Sequence, residues 1–178
     1  GATGFLGVHV LNEIIKHTQS KVYCLVRKGK ANSIESRLKN MLVYYFSDGM
    51  DDLFGKRIIP IEGDITDKEI VSSLEKYDFK TVINCAACVK HFTNDDTLER
   101  INVHGVENLI SMCIKTGRRL VQISTTSVAG VNVNRKFPPE KKIHENELYF
   151  GQDLTNKYID TKFRGEKAVL EAIASDEL

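Results

Sequence analysis

The sequence has no tryptophan, only three prolines and no bulk charge: 25 Lys and Arg stand against 24 Asp and Glu, a formal net of +1. A domain that grips nucleic acid by its phosphates needs a concentrated basic face, and an anionic membrane surface asks for the same. This balance offers neither. The short basic stretches, Lys115 to Arg119 and Lys136 to Lys142, read as solvated surface. No apolar run approaches the ~20 residues that span a bilayer. The chain opens on Gly1, inside a loop motif and without an initiator methionine; no secretory leader and a cytoplasmic protein are the expectation. Internal repeats are absent as well, which excludes solenoids and propellers.

Cysteine is also scarce, with four residues in the chain. Cys24 and Cys113 lie in apolar stretches and read as small core residues. Cys85 and Cys88 form a C-x-x-C, the spacing of a redox pair or of half a zinc site. No second such pair and no paired histidines exist to complete a metal centre, so none is expected. What is present is an ordinary globular composition, 42% hydrophobic and 28% charged over 178 residues, enough for one domain with a substantial core, spanning 1–178.

The order of elements carries the fold. Residues 6–17 place Leu6, Val10, Leu11, Ile14 and Ile15 at helical spacing, and 21–26 form a short β-branched run. Ser33 to Phe46 reads helical, with Ile34, Leu38, Leu42 and Tyr45 on one stripe. Residues 57–64 read as a strand and 67–76 as a short helix. The strand KTVINC (80–85) precedes a long helix, Thr97 to Lys115, with Ile101, Val106, Leu109, Ile110 and Cys113 inward. The strand RLVQIS (119–124) and a last helix from about Leu154 to Ile173 complete the series. Strands alternating with helices predict an α/β fold, a doubly wound Rossmann-like parallel sheet covered on both faces. Its ligand belongs at the carboxyl ends of the strands.

The residues at those ends have the matching chemistry. Gly1-Ala2-Thr3-Gly4-Phe5-Leu6-Gly7 is a G-x-x-G-x-x-G loop opening a helix. Glycines let the backbone approach a pyrophosphate, and the helix N-terminus supplies free N–H donors and partial positive charge. After the next strand, a cofactor without a 2′-phosphate usually meets an Asp or Glu on its ribose. Here stand Arg27, Lys28 and Lys30, with Arg37 on the following helix. Guanidinium groups pair bidentately with phosphate, which points to NADP(H) rather than NAD(H).

Tyr158 and Lys162 lie four apart on the last helix, hence on one face. A nearby ammonium favours a phenolate and tunes a tyrosine toward proton transfer. Ser124-Thr125-Thr126-Ser127 directly follows a strand, where a hydroxyl could meet a substrate oxygen beside Tyr158.

Together, Gly1 to Gly7, Gly63-Asp64-Ile65, Ala86-Ala87, Asn102-Val103-His104-Gly105, Ile123-Ser124-Thr125 and Tyr158-x-x-x-Lys162 resemble, in kind and order, the extended short-chain dehydrogenases/reductases. Within them, CLVR (24–27), Arg37-Leu38, the stretch from Ala86 to Phe92 and ISTTSV (123–128) are most similar to thioester reductase domains. Those domains belong to nonribosomal peptide and polyketide synthetases and to carboxylic acid reductases. The resemblance implies that Gly1, Thr3, Gly4, Phe5, Leu6 and Gly7 hold the pyrophosphate, Arg27 and Arg37 the 2′-phosphate, and Asp64 and Ile65 the adenine. It also implies that Ala86 and Ala87, flanked by the two cysteines, line the nicotinamide half. Thr125, Tyr158 and Lys162 would form the catalytic triad, Lys162 also meeting the nicotinamide ribose, while Asn102 would be structural. Thr125 is chosen over Thr126 because Ser124-Thr125 takes the S-T position of the pattern, with Gly130 at the matching distance.

The implied activity is NADPH-dependent reductive release of an acyl or peptidyl thioester from a phosphopantetheine carrier domain, as aldehyde or alcohol. Nucleotide-sugar epimerases and dehydratases share the glycine loop and Y-x-x-x-K, and a non-catalytic NADP(H)-binding protein would share the fold; both remain alternatives. The strand that precedes the glycine loop in this family is absent, and the family's further strands and substrate lobe would follow Leu178. A truncated sheet is therefore expected.

Overall fold

In a computed structural model of the chain, residues 1–29, 33–89, 96–130, 142–175 and 178 are described. Lys30, residues 90–92 of the Ala86–Phe92 stretch and residues 136–141 of the second basic run lie outside them. The elements follow the expected alternation: α1 (Phe5–His17), β1 (Val22–Val26), α2 (Ile34–Phe46), β2 (Ile58–Glu62), α3 (Lys68–Ser73), β3 (Thr81–Asn84), α4 (Thr97–Glu99), α5 (Gly105–Thr116), β4 (Arg119–Gln122) and α6 (Lys157–Ala174). No described helix is long and apolar enough to cross a membrane.

The strands pair in parallel as two ladders, β1 with β2 from Val22↔Ile58 to Val26↔Glu62, and β3 with β4 from Thr81↔Arg119 to Asn84↔Gln122. Alternation along β1 shows that helices cover both faces. Cys24 and Val26 point into a core with Val8, Leu11 and Ile15 of α1 and Leu38 and Leu42 of α2. Leu25 points the other way, toward Val71 of α3 and Leu109, Met112 and Cys113 of α5. Helix α6 closes the second layer by packing Ala172 against Val106 and Ile110. Ile83 and Val121, cross-strand partners on β3 and β4, are solvent-exposed.

Several local expectations need correction. The buried face of α1 is Gly7, Val8, Leu11, Asn12 and Ile15; Leu6 is exposed and Val10 and Ile14 only half-buried, a rotation of about one position. The cause is the glycine loop, which brings the first turn of α1 down onto Gly1 and leaves Leu6 outward. The long helix from Thr97 is broken by a π-helical segment, Arg100–His104, before α5. The last helix begins at Lys157 rather than near Leu154, because the Asn156 side chain caps it, accepting from the N–H groups of Tyr158 and Ile159. The stripes of α2 and α5 and the burial of Cys24 and Cys113 are as expected.

Candidate cofactor cleft and catalytic residues

The glycine loop runs at the carboxyl end of β3. A Cβ on Gly1 would overlap the Cys85 carbonyl, and one on Gly7 would overlap the Gly1 carbonyl, so these positions exclude side chains. Gly4 N–H donates to the Gly1 carbonyl at 2.9 Å, closing the turn, and Gly4 starts α1 with no side-chain cap and no acid in the first turn. The first N–H groups of a helix lack intrahelical partners, so this end of α1 retains donors and positive potential for an anion.

Around it opens a cleft of about 210 Å³ whose walls include Gly1, Thr3, Gly4, Arg27, Arg37 and Asp64, with Ile65, Ala86 and Ala87 further along. Most of the expected cofactor residues thus meet in one place; Phe5, Leu6, Gly7, Tyr158 and Lys162, also expected to touch the cofactor, are not among the cleft's walls. Phe5 and Leu6 point their side chains outward, leaving only their backbone to face the loop, and Gly7 is buried beneath it. Arg27 approaches Asp64 at 3.6 Å, and Arg37 from α2 donates to the Arg27 carbonyl, so two guanidinium groups frame one end of the cleft. Asn108 of α5 fixes the turn after β2 by donating to the Ile65 carbonyl at 2.9 Å.

The catalytic candidates lie on α6 and on the exit of β4. Tyr158 is buried with Cys88, Leu98, Ile101 and Ile159. Lys162 is 6% exposed, and its Nζ donates to the Ile123 carbonyl at 2.8 Å, two residues before Thr125. Burial pushes its pKa below the ordinary lysine value, and the Glu166 carboxylate pulls it back up. Thr125 Oγ1 accepts from Ser127 N–H at 3.2 Å, capping the turn Thr126–Ala129 and leaving the Thr125 hydroxyl proton to be donated elsewhere. Gln152 braces that turn by donating to the Val128 carbonyl at 3.0 Å. Asn102, inside the π segment, accepts from Cys88 N–H, donates to the Cys88 carbonyl and donates to Thr161 Oγ1, tying the loop after β3 to α6. Cys85 and Cys88 are both free thiols, one lining the cleft and the other against Tyr158.

Sequence reasoning missed the amides under this floor. Asn84 donates to Gln122 at 2.8 Å and accepts from Ala86 N–H at 3.0 Å, and Gln122 donates to the Ile123 carbonyl at 2.9 Å. Neither has a local signal; both read as polar ends of strands. Asn156 did carry one, as a cap residue just ahead of an amphipathic run.

A model of NAD-binding domains described as Male sterility protein matches residues 1–178. The chain belongs to that family. That match, with the reductase-domain structures below, makes the chain an extended short-chain dehydrogenase/reductase resembling the reductase domains of peptide and polyketide synthetases. A thiolation-reductase di-domain from an archaeal non-ribosomal peptide synthetase is 46% identical, with a TM-score of 0.89 over 98% of this chain and 38% of that one. The terminal R domain of the myxalamid PKS-NRPS pathway is 27% identical, with a TM-score of 0.75 over 97% of this chain and 44% of that one. A probable polyketide synthase 9/36 of Dictyostelium discoideum is 26% identical over 97% of this chain and 6% of its own length. The chain therefore spans about two fifths of those solved structures. As a member of an NAD-binding family it takes a nicotinamide cofactor, and the cleft fits one: a glycine loop on a helix N-terminus, a basic end and a narrow wall at Ala86-Ala87.

Proposed function

We propose that the protein containing this chain uses NADPH to reduce an acyl or peptidyl thioester carried on a phosphopantetheine arm. The observation that carries the reading is the 46% identity to a thiolation-reductase di-domain across 98% of the chain. Arg27 and Arg37 favour the 2′-phosphorylated cofactor, because a guanidinium there has a dianion to pair with and a carboxylate would repel it. The glycine loop would take the pyrophosphate, Asp64 and Ile65 the adenine, Ala86 and Ala87 the nicotinamide half, and Tyr158 and Lys162 the ribose beside it.

The bound cofactor supplies a hydride to the carbonyl carbon. Negative charge then develops on the carbonyl oxygen, and the hydroxyls of Thr125 and Tyr158 donate to it from fixed positions, the arrangement that stabilises a transition state most economically. Tyr158 passes its proton to that oxygen, and the buried Lys162 ammonium stabilises the charge left on the phenol. The thiohemiacetal so formed breaks its carbon–sulfur bond, releasing the carrier thiol and an aldehyde. Reduction on to the alcohol would take a second NADPH, bound after the oxidised cofactor leaves, with Tyr158 again giving the proton.

The test is NADPH oxidation by the full-length protein with acyl-pantetheine and carrier-bound acyl substrates, with analysis for aldehyde and alcohol. Tyr158→Phe should lower turnover by ~10²–10⁴-fold, the usual worth of a positioned acid, and NADPH affinity by no more than about ten-fold, the worth of one neutral hydrogen bond to the ribose. A parent enzyme that ignores every thioester, or a Tyr158→Phe variant as fast as the parent, defeats the reading.

A further inference from the structure

Glu166 falls one helical turn beyond Lys162 and two beyond Tyr158, so the three share one stripe of α6. Its carboxylate accepts a hydrogen bond from Ser124 Oγ. Successive turns of α6 thus hold successive residues of the β4 exit, Lys162 taking the Ile123 carbonyl and Glu166 the Ser124 hydroxyl. Ile123 has a second anchor, the Gln122 amide, while its N–H donates to the Asn84 carbonyl at 3.1 Å. Ser124 is therefore already spent on the helix and is not the hydroxyl offered to a substrate.

The next residue is the one that matters. Thr125 has extended backbone, φ −152° and ψ 146°. Ser124, held to α6 by Glu166, directly precedes Thr125, so that bond fixes the backbone from which Thr125 presents its own hydroxyl. We propose that Glu166 is a positioning residue, acting through Ser124 to set the direction of the Thr125 hydroxyl toward the substrate oxygen. The inference rests on Thr125 being the hydroxyl that meets that oxygen. It adds a carboxylate that touches neither substrate nor cofactor, and a serine whose part is to be held.

The test uses the full-length protein at neutral pH and compares Ser124→Ala, Glu166→Ala and Glu166→Gln, each also in a Thr125→Ala background. Small displacements of a reacting group cost rate steeply, so Ser124→Ala and Glu166→Ala should each lower kcat by roughly ten- to a hundred-fold, with the KM for NADPH within about two-fold. Glu166→Gln, whose amide oxygen can still accept from Ser124, should recover most of the loss. In the Thr125→Ala background the same changes should cost almost nothing more, because their target is gone. Amide hydrogen exchange over residues 123–129 should quicken in Ser124→Ala and Glu166→Ala.

Parental kcat in both alanine variants overturns the proposal. So does a loss that persists undiminished without Thr125, or one in which NADPH binding falls in step with kcat, since a brace for the whole helix would behave that way. If the parent leaves thioesters alone but reduces another carbonyl, the proposed function fails and the same variant series is read on that carbonyl.

Discussion

Arg27 and Arg37 reach one end of the cleft from different elements, the first from the loop after β1 and the second from the first turns of α2. A hydrogen bond to a charged group contributes about 1.5–3 kcal/mol, so Arg27→Ala should weaken NADPH by roughly ten- to a hundred-fold while changing NADH much less. Arg37→Ala should cost NADPH as well, because it also releases the Arg27 carbonyl. Titration of parent and variants with both cofactors checks this, and equal affinity of the parent for the two counts against NADP(H). Lys162 supplies a prediction in pH. Its pKa lies below the ordinary 10.5 because burial disfavours the ammonium, and the neighbouring Glu166 charge opposes that shift. Activity that needs the ammonium is complete below the lowered pKa and is lost as pH rises through it. The basic limb of a kcat–pH profile should therefore fall below the usual lysine range, and Glu166→Gln, having lost the opposing charge, should move it lower still. A limb that stays put or rises in Glu166→Gln would contradict the assignment of Lys162.

At the scale of elements, α6 and the π segment form the contact on which the site depends. Gly165 allows it: a Cβ there would overlap the Asn102 carbonyl oxygen. Alanine is the better helix former by about 1 kcal/mol, so Gly165→Ala would stabilise an isolated helix. Here the obstacle is backbone rather than a side chain that could swing away, and the overlap should win. A net loss of about 1–3 kcal/mol is expected by denaturant unfolding, accompanied by reduced kcat because Tyr158 and Lys162 ride on the displaced helix. A more stable variant would show that the crossing relaxes freely.

The π segment itself was not legible in the sequence. Thr97 to Lys115 has unbroken helical periodicity, and only the folded chain brings the Cys88 backbone to Asn102, whose side chain satisfies both its N–H and its carbonyl. Glu166 was hidden for the same reason: its spacing from Lys162 is visible, but Ser124 is 42 residues away. By contrast the glycine loop, the cations after β1 and the stripes of α2 and α5 were readable, since each depends on neighbours close in sequence. The one-position error in the buried face of α1 belongs between these cases. Its periodicity was visible, but the glycine loop that sets its rotation acts through contact with Gly1.

For the whole molecule, the relevant fact is that the cleft draws its walls from both ladders. Arg27 and Asp64 follow β1 and β2, Ala86 and Ala87 follow β3, and the glycine loop lies between, pressed onto Cys85. A dinucleotide seated there would touch both halves at once and would act as a rivet as well as a reagent. Since a ligand that binds only the folded state adds RT ln(1 + [L]/Kd), NADPH at a hundred times its Kd should stabilise the full-length protein by about 2.7 kcal/mol. The gain should be shared by residues after β2 and residues after β3, visible as slowed amide exchange on both sides. Protection confined to one side would mean that the cofactor joins nothing. Protection on both would make the supply of reduced cofactor a determinant of how long the folded protein survives, apart from how fast it turns over.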